Sequence, residues 1–126
     1  MTETTGKALA VARIYAEAIA SKDVNKIMSV SAEDVICTSP LGQIGGAAAF
    51  RGFQEGFAKM IKKVTVVAVF GDDEHAVIVY DADTHPVANA VVAEHLVVNN
   101  GKIATTRVIY DASPFAAYVA SLQAQH

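Results

Sequence analysis

The chain has one cysteine, Cys37, in 126 residues, so no internal disulfide can form and a reducing, cytoplasmic setting is expected. No cationic residue adjoins Cys37, and a free cysteine without such a neighbour is ordinarily buried packing. No apolar run approaches the roughly 18 residues that a membrane-spanning helix needs. The opening Met-Thr-Glu-Thr-Thr-Gly-Lys has no apolar core, so neither a signal peptide nor an anchor is expected. Basic clustering is absent too. The ten Lys and Arg are scattered in a chain of net charge -3, which argues against nucleic acid as a partner. There is no internal repeat, no low-complexity tail, no triad spacing among His75, His95 and His126, and no serine on a nucleophile elbow.

What is present is apolar, at 52% hydrophobic residues. One domain of this length has one core. A sheet covered by helices on one face and by a second copy of the chain on the other would bury the excess, which predicts a homodimer. Leu9, Ala12, Tyr15, Ala16 and Ile19 recur at helical spacing, predicting a helix from Thr5 to Ser21. Asp23 is placed to cap a short second helix carrying Val24, Ile27 and Met28. A strand from Asp34 to Thr38 enters the turn Ser39-Pro40-Leu41-Gly42. Phe50, Phe53, Phe57 and Met60 or Ile61 mark a third helix between Gly46 and Lys62 that packs on a sheet. The glycine-rich stretch from Gly42 to Gly46 lacks the Lys and Ser or Thr of a P-loop and reads as a lip over a pocket. Strands follow at Val64 to Phe70 and Ala76 to Asp83, the second turning near His85-Pro86. Val87 to Val98, Asn99-Asn100-Gly101 and Lys102 to Tyr110 then form a long hairpin. Ser113 before Pro114 caps a terminal helix reaching Gln125 and presenting Phe115, Tyr118, Val119 and Leu122. The order gives an α+β fold: a cone-shaped, curved, mostly antiparallel sheet wrapped around the N-terminal helix, as one domain from 1 to 126.

Glu94 sits in the apolar middle of the hairpin, and the register decides its role. A two-residue Asn100-Gly101 turn pairs Asn99 with Lys102 and sets Glu94 opposite Arg107, as a cross-strand ion pair. A three-residue loop pairs Val98 with Lys102 and turns Glu94 toward Thr106 and a pocket, because a one-residue slip exchanges the two faces. In the pocket, burial would raise its pKa. Tyr15 is either core filler or a hydrogen-bond donor, and a buried hydroxyl needs a partner in both cases. Asp81, Asp83 and His85 share one strand face, but at about 3.3 Å per residue the outer pair lie roughly 13 Å apart, too far for all three to ligate one ion. No metal and no cofactor is expected.

The order of elements resembles the nuclear transport factor 2-like superfamily of cone-shaped α+β barrels, which includes ketosteroid isomerases, polyketide cyclases and limonene-epoxide hydrolases. The resemblance rests on Tyr15 to Asp23, on Asp34 to Gly42 with its Ser-Pro-Leu-Gly turn, on Gly46 to Phe57, and on Asn100-Gly101-Lys102-Ile103 leading to Arg107 and Asp111. It implies that Tyr15 stands at the isomerases' hydrogen-bonding tyrosine and Glu94 at their neutral carboxylic acid, with Glu replacing Asp. It also implies that Ser39, just before Pro40, stands where their catalytic Asp would be; a serine cannot take and return a proton near neutral pH. Asp81, pointing to the pocket mouth in that alignment, is the candidate substitute base. Polyketide cyclases use an inward acid on the last strand, whereas the inward set expected here is Ala104, Thr106, Val108 and Tyr110. The Arg and two Asp of the epoxide hydrolases do not fall on one face. The implied function is binding of a small apolar molecule by Ser39, Phe53, Phe57, Thr106, Val108 and Tyr110. Tyr15, Glu94 and Asp81 would then act as an isomerase, lyase or cyclase on a carbonyl compound. The alternative is a non-catalytic binding or dimerisation module.

Overall fold

The computed structural model describes residues 6–124. Its elements run α1 (Lys7–Ser21), α2 (Val24–Ser29), β1 (Ser31–Ser39), β2 (Gly42–Gly45), α3 (Ala47–Met60), β3 (Ile61–Gly71), β4 (His75–Thr84), β5 (Ala90–Asn99) and β6 (Lys102–Ile109). A 3-10 turn, Ser113–Phe115, leads into α4 (Ala116–Ala124). The six strands form one open sheet in the order β2-β1-β6-β5-β4-β3, so its edges are not joined into a barrel. All neighbours are antiparallel except β1 and β6. Among the described residues no helix is long and apolar enough to cross a membrane.

The helix α1 lies across β3, β4 and β5. Its buried face is Ala8, Leu9, Val11, Ala12, Tyr15, Ala16, Ala18 and Ile19, rich in alanine, which allows close approach to the strands. Both ends are fixed. At the start, the β3–β4 turn supplies the missing acceptors: the Leu9 N–H donates to the Asp72 carbonyl at 3.1 Å and the Lys7 N–H to the Asp73 carboxylate at 3.1 Å. Gly6 permits that contact, since a Cβ there would lie 2.5 Å from the Asp72 backbone. At the other end Lys22 adopts φ 60, its N–H donates to the Ile19 carbonyl and that of Asp23 to Ala18, closing the helix without a glycine. The Lys22 ammonium then donates to the Ile61 carbonyl at 2.6 Å. Asp23 caps α2 as expected, accepting from the Lys26 N–H at 3.1 Å.

Several boundaries differ from expectation. The glycine-rich lip is instead the edge strand β2, because Ile36 to Ser39 pair with Gly42 to Gly45 and satisfy its backbone. Ser113 does not cap the last helix with its side chain; the Asp111 carboxylate accepts from the Ser113 N–H at 3.0 Å instead. Thr5, Gln125, His126 and the side chains of Val119 and Leu122 lie outside the described residues.

The β5–β6 hairpin joins features of both registers. Asn100 and Gly101 have φ 54 and 75, and Asn99 pairs with Lys102, so the turn is the two-residue one. Ala104 is then left unpaired as a bulge between Val98↔Ile103 and Val97↔Thr105. The extra residue resets β6, so that Thr106, Val108 and Tyr110 turn inward with Ile103, Ala104 does not, and Glu94 lies opposite Val108. Arg107 stands opposite His95 on the outer face. That outer face carries exposed Phe70, Val77, Val91 and Ile109.

Gly6→Val is expected to lower unfolding free energy by more than about 1 kcal/mol, since φ 143 and the Asp72 backbone both oppose a side chain. Urea denaturation checks this, and an unchanged midpoint would show that the turn yields freely.

Candidate functional site

Beneath α3 and the C-terminal segment, the concave face of the sheet encloses a cavity of about 330 Å³. Phe53, Phe57 and Met60 of α3, Ala82 of β4, Val92 of β5 and Val108 of β6 form much of its wall. Phe115 closes one end, edge-on to Tyr110 with ring centres 5.5 Å apart. Among the described residues Glu94 is the one carboxyl group in the lining, and no Lys, Arg or His accompanies it.

Glu94 is 3% exposed and, among the described residues, is held by hydroxyls alone. Tyr15 of α1 donates to Oε1 at 2.6 Å, Thr106 of β6 donates to the same oxygen at 2.9 Å, and Tyr80 of β4 donates to Oε2 at 2.6 Å. Gln54 of α3, which also lines the cavity, donates its amide to the Tyr15 oxygen at 3.1 Å. Four elements besides β5 therefore meet at one carboxyl. The register explains the strand contributions: Ile78 and Val108 are directly opposite Glu94, which makes Tyr80 and Thr106 its diagonal neighbours on the same face. Tyr80 is in turn braced by Phe57, with ring centres 6.3 Å apart. Every buried side-chain polar atom among the described residues has a partner.

Burial pushes the pKa of Glu94 above the ordinary carboxylate value, outweighing the three hydroxyl donors, which favour the charged form. Burial and then the charge of Glu94 hold Tyr15 and Tyr80 well above the usual phenol range. The same two causes raise the Cys37 thiol to about 12, in keeping with an inert core cysteine. Tyr110 is raised chiefly by burial.

The expected residues fall into three groups. Glu94, Phe53, Phe57, Val108 and Tyr110 line the cavity. Tyr15 and Thr106 are fully buried one layer behind it; Thr106 is linked to it through Glu94, and Tyr15 through Glu94 and Gln54, both of which line it. Asp81 and Ser39 lie outside the lining. Asp81 is exposed on the outer face between Thr65 and Val91, because the inward parity of β4 belongs to Ala76, Ile78, Tyr80, Ala82 and Thr84. Ser39 ends β1, where its hydroxyl accepts from the Leu41 N–H at 3.1 Å. The alternative pairing of Glu94 with Arg107 is excluded, since the two face opposite sides of the sheet. Among the described residues no cluster suited to a metal ion occurs.

Two members of the network escaped the sequence reading. Tyr80 carries the inward parity mistakenly given to Asp81; the rule that polar residues face out and apolar ones in would have found it. Gln54 lies on the stripe between Phe50 and Phe57, where one polar residue among aromatics was the available signal.

Comparison with known proteins gives the same architecture. A family model described as a SnoaL-like domain matches residues 11–106. A crystal structure of a protein from Kribbella flavida is 36% identical, covers 94% of this chain and 98% of that chain, and superposes with a TM-score of 0.86. Another from the same organism, provisionally called a ketosteroid isomerase, is 20% identical over 86% of this chain and 81% of that one, with a TM-score of 0.75. A structure from Sinorhizobium meliloti, provisionally called a polyketide cyclase, is 14% identical over 79% and 94% of the two chains, with a TM-score of 0.71. At these identities the last two show the fold alone. No curated protein matches the chain.

A raised carboxyl pKa fixes the sign of a pH effect. The folded state holds its proton more tightly than the unfolded state, so stability is full below the ordinary carboxylate pKa and falls as pH rises to that of Glu94. Glu94→Gln should remove this slope and be the more stable protein on the alkaline side, in urea titrations at several pH values. Equal slopes in the two proteins would mean that Glu94 is not shifted upward. Tyr15→Phe, which leaves a buried oxygen and the Gln54 amide short of partners, should cost about 1–3 kcal/mol.

Proposed function

The chain belongs to the SnoaL-like domain family of the nuclear transport factor 2-like superfamily, and from that membership we propose that it binds a small, largely apolar molecule carrying one oxygen function and exchanges a proton with it through Glu94. The contrast between the cavity wall and its one acid supports this most directly. A carboxyl group without a cation is costly to bury, yet this one has hydroxyl donors from three elements and opens onto an apolar space. A residue kept only for packing would be cheaper as an amide or a hydrocarbon. An acid with an elevated pKa at a cavity is suited to proton transfer near neutral pH.

The chemistry that fits is removal of a proton from the carbon beside a carbonyl, followed by its return to the same or another carbon. Glu94 takes the proton as carboxylate and gives it back as acid, while a hydroxyl donor steadies the charge on the carbonyl oxygen. This is the common step of isomerases, lyases and cyclases acting on ketones, and it agrees with the provisional names of two structural neighbours. Ser39, at the position expected for the base, favours a second reading in which the pocket binds its ligand without turnover.

A cyclic aryl ketone in deuterated water separates the two readings. The wild type is expected to accelerate exchange of the α-hydrogens, read by mass spectrometry, and Glu94→Gln to lose at least about 100-fold of that rate. Binding without exchange would reject the catalytic reading and leave the binding one.

We also infer that a second copy covers the outer sheet face. The concave face has its helices, while Phe70, Val77, Val91 and Ile109 are exposed on the other, and an isologous pair would bury both sets at once. Introducing Val91→Lys with Ile109→Glu should give a monomer by light scattering. A wild type that is already monomeric would dismiss this pairing.

A further inference from the structure

The donors to Glu94 are unevenly shared. Tyr15 and Thr106 both reach Oε1, and Tyr80 alone reaches Oε2. An ionised carboxylate accepts all three bonds, but a protonated one must donate from one oxygen. With two donors already at Oε1, the proton belongs on Oε2, where its acceptor is the Tyr80 oxygen. Tyr15 cannot reverse in the same way: its oxygen already accepts the Gln54 amide, and it does not touch the cavity. Tyr80 lines the cavity, and among the described residues its hydroxyl has no partner besides Glu94.

We propose that Tyr80 is the hydroxyl that meets the ligand and that it passes the hydrogen-bonding sense of Glu94 to the ligand's oxygen. When Glu94 is ionised, Tyr80 spends its proton on Oε2 and offers a lone pair to the cavity, so the site takes a donor such as a phenol or an alcohol. When Glu94 is protonated, Oε2 donates to Tyr80, whose own proton turns into the cavity, and the site takes an acceptor such as a ketone. The ligand class is thus an apolar molecule with a single ketone or hydroxyl, each form matched to one proton state. This rests on the cavity being the binding site. It also deepens the proposed chemistry, because the proton that Glu94 removes from carbon is what frees Tyr80 to donate to the enolate oxygen.

Few other charges face Glu94. Tyr15 from α1, Tyr80 from β4 and Cys37 from β1 are its titratable neighbours, while α3 presents Gln54 and β6 presents Thr106. The phenols and the thiol are all displaced upward, which leaves Glu94 as the group in this set that titrates first.

Three compounds of one shape test the coupling: tetralin, with no oxygen; tetralone, an acceptor; and tetrahydronaphthol, a donor. Calorimetry on either side of the Glu94 titration should show wild-type affinity for tetralone falling at least tenfold as pH rises, with proton uptake on binding at the higher pH. Tetralin should bind equally at both. Glu94→Gln places an amide nitrogen at Oε2 that always donates to Tyr80, so it should hold tetralone at both pH values as tightly as the acid form of the wild type. Tyr80→Phe should bind tetralin normally and tetralone weakly, with no pH dependence. Persistence of the pH dependence in Tyr80→Phe would show that Glu94 itself hydrogen-bonds the ligand's oxygen and overturn the inference, as would loss of tetralone by Glu94→Gln. If Tyr80→Phe fails to fold, proton uptake by the wild type and the Glu94→Gln result decide. Failure of the wild type to bind tetralin would reject the cavity as the site, and the inference with it.

Discussion

A carboxyl group buried without a cation sets the terms for the rest of this molecule. Glu94 is surrounded by three hydroxyls from α1, β4 and β6 and, one step further, by an amide from α3. Each hydrogen bond recovers part of the hydration that the carboxyl loses, and together they do not restore its ordinary acidity. The group is therefore satisfied but easily protonated. That combination is what a site needs if it is to accept a proton and return it.

The fold spends several of its irregular features on this arrangement. The β3–β4 turn closes the start of α1 and Lys22 closes its end, which fixes the helix along the sheet and brings Tyr15 to Glu94. The bulge at Ala104 lets a tight turn coexist with inward Thr106 and Val108. Without it the regular two-residue hairpin would have set Glu94 against Arg107. One unpaired residue thus separates a surface ion pair from a buried acid.

The cavity wall has the complementary property. Phe53, Phe57, Val92 and Val108 set hydrocarbon around the carboxyl on the cavity side, so the groups at hand to share its proton are its own hydroxyl donors and whatever ligand enters the cavity. Because Tyr80 touches both the acid and the empty space, it stands between the titrating group and whatever fills the cavity. Tyr15, which lies nearest to the role suggested by the resemblance, donates to the acid from behind and does not line the cavity.

The sequence by itself determined the elements. Helical spacing in α1 and α3, the Asp23 cap, the Asn100-Gly101 turn and the strand runs are local patterns, and local backbone preferences and periodicity act within a few residues. Glu94 could also be singled out, as a charge inside an apolar strand. What only the tertiary structure decided was which side of the sheet each residue occupies and which elements meet. The faces of β6 depend on a bulge that no residue type at Ala104 announces. In β4, Val77 and Val79 are as apolar as the inward Ile78, so hydrophobicity could not separate the faces until Tyr80 and Asp81. The assembly of Tyr15, Gln54, Tyr80 and Thr106 around Glu94 joins residues up to 79 positions apart. Periodicity cannot express that contact, because it arises from how twisted strands and a docked helix converge in space.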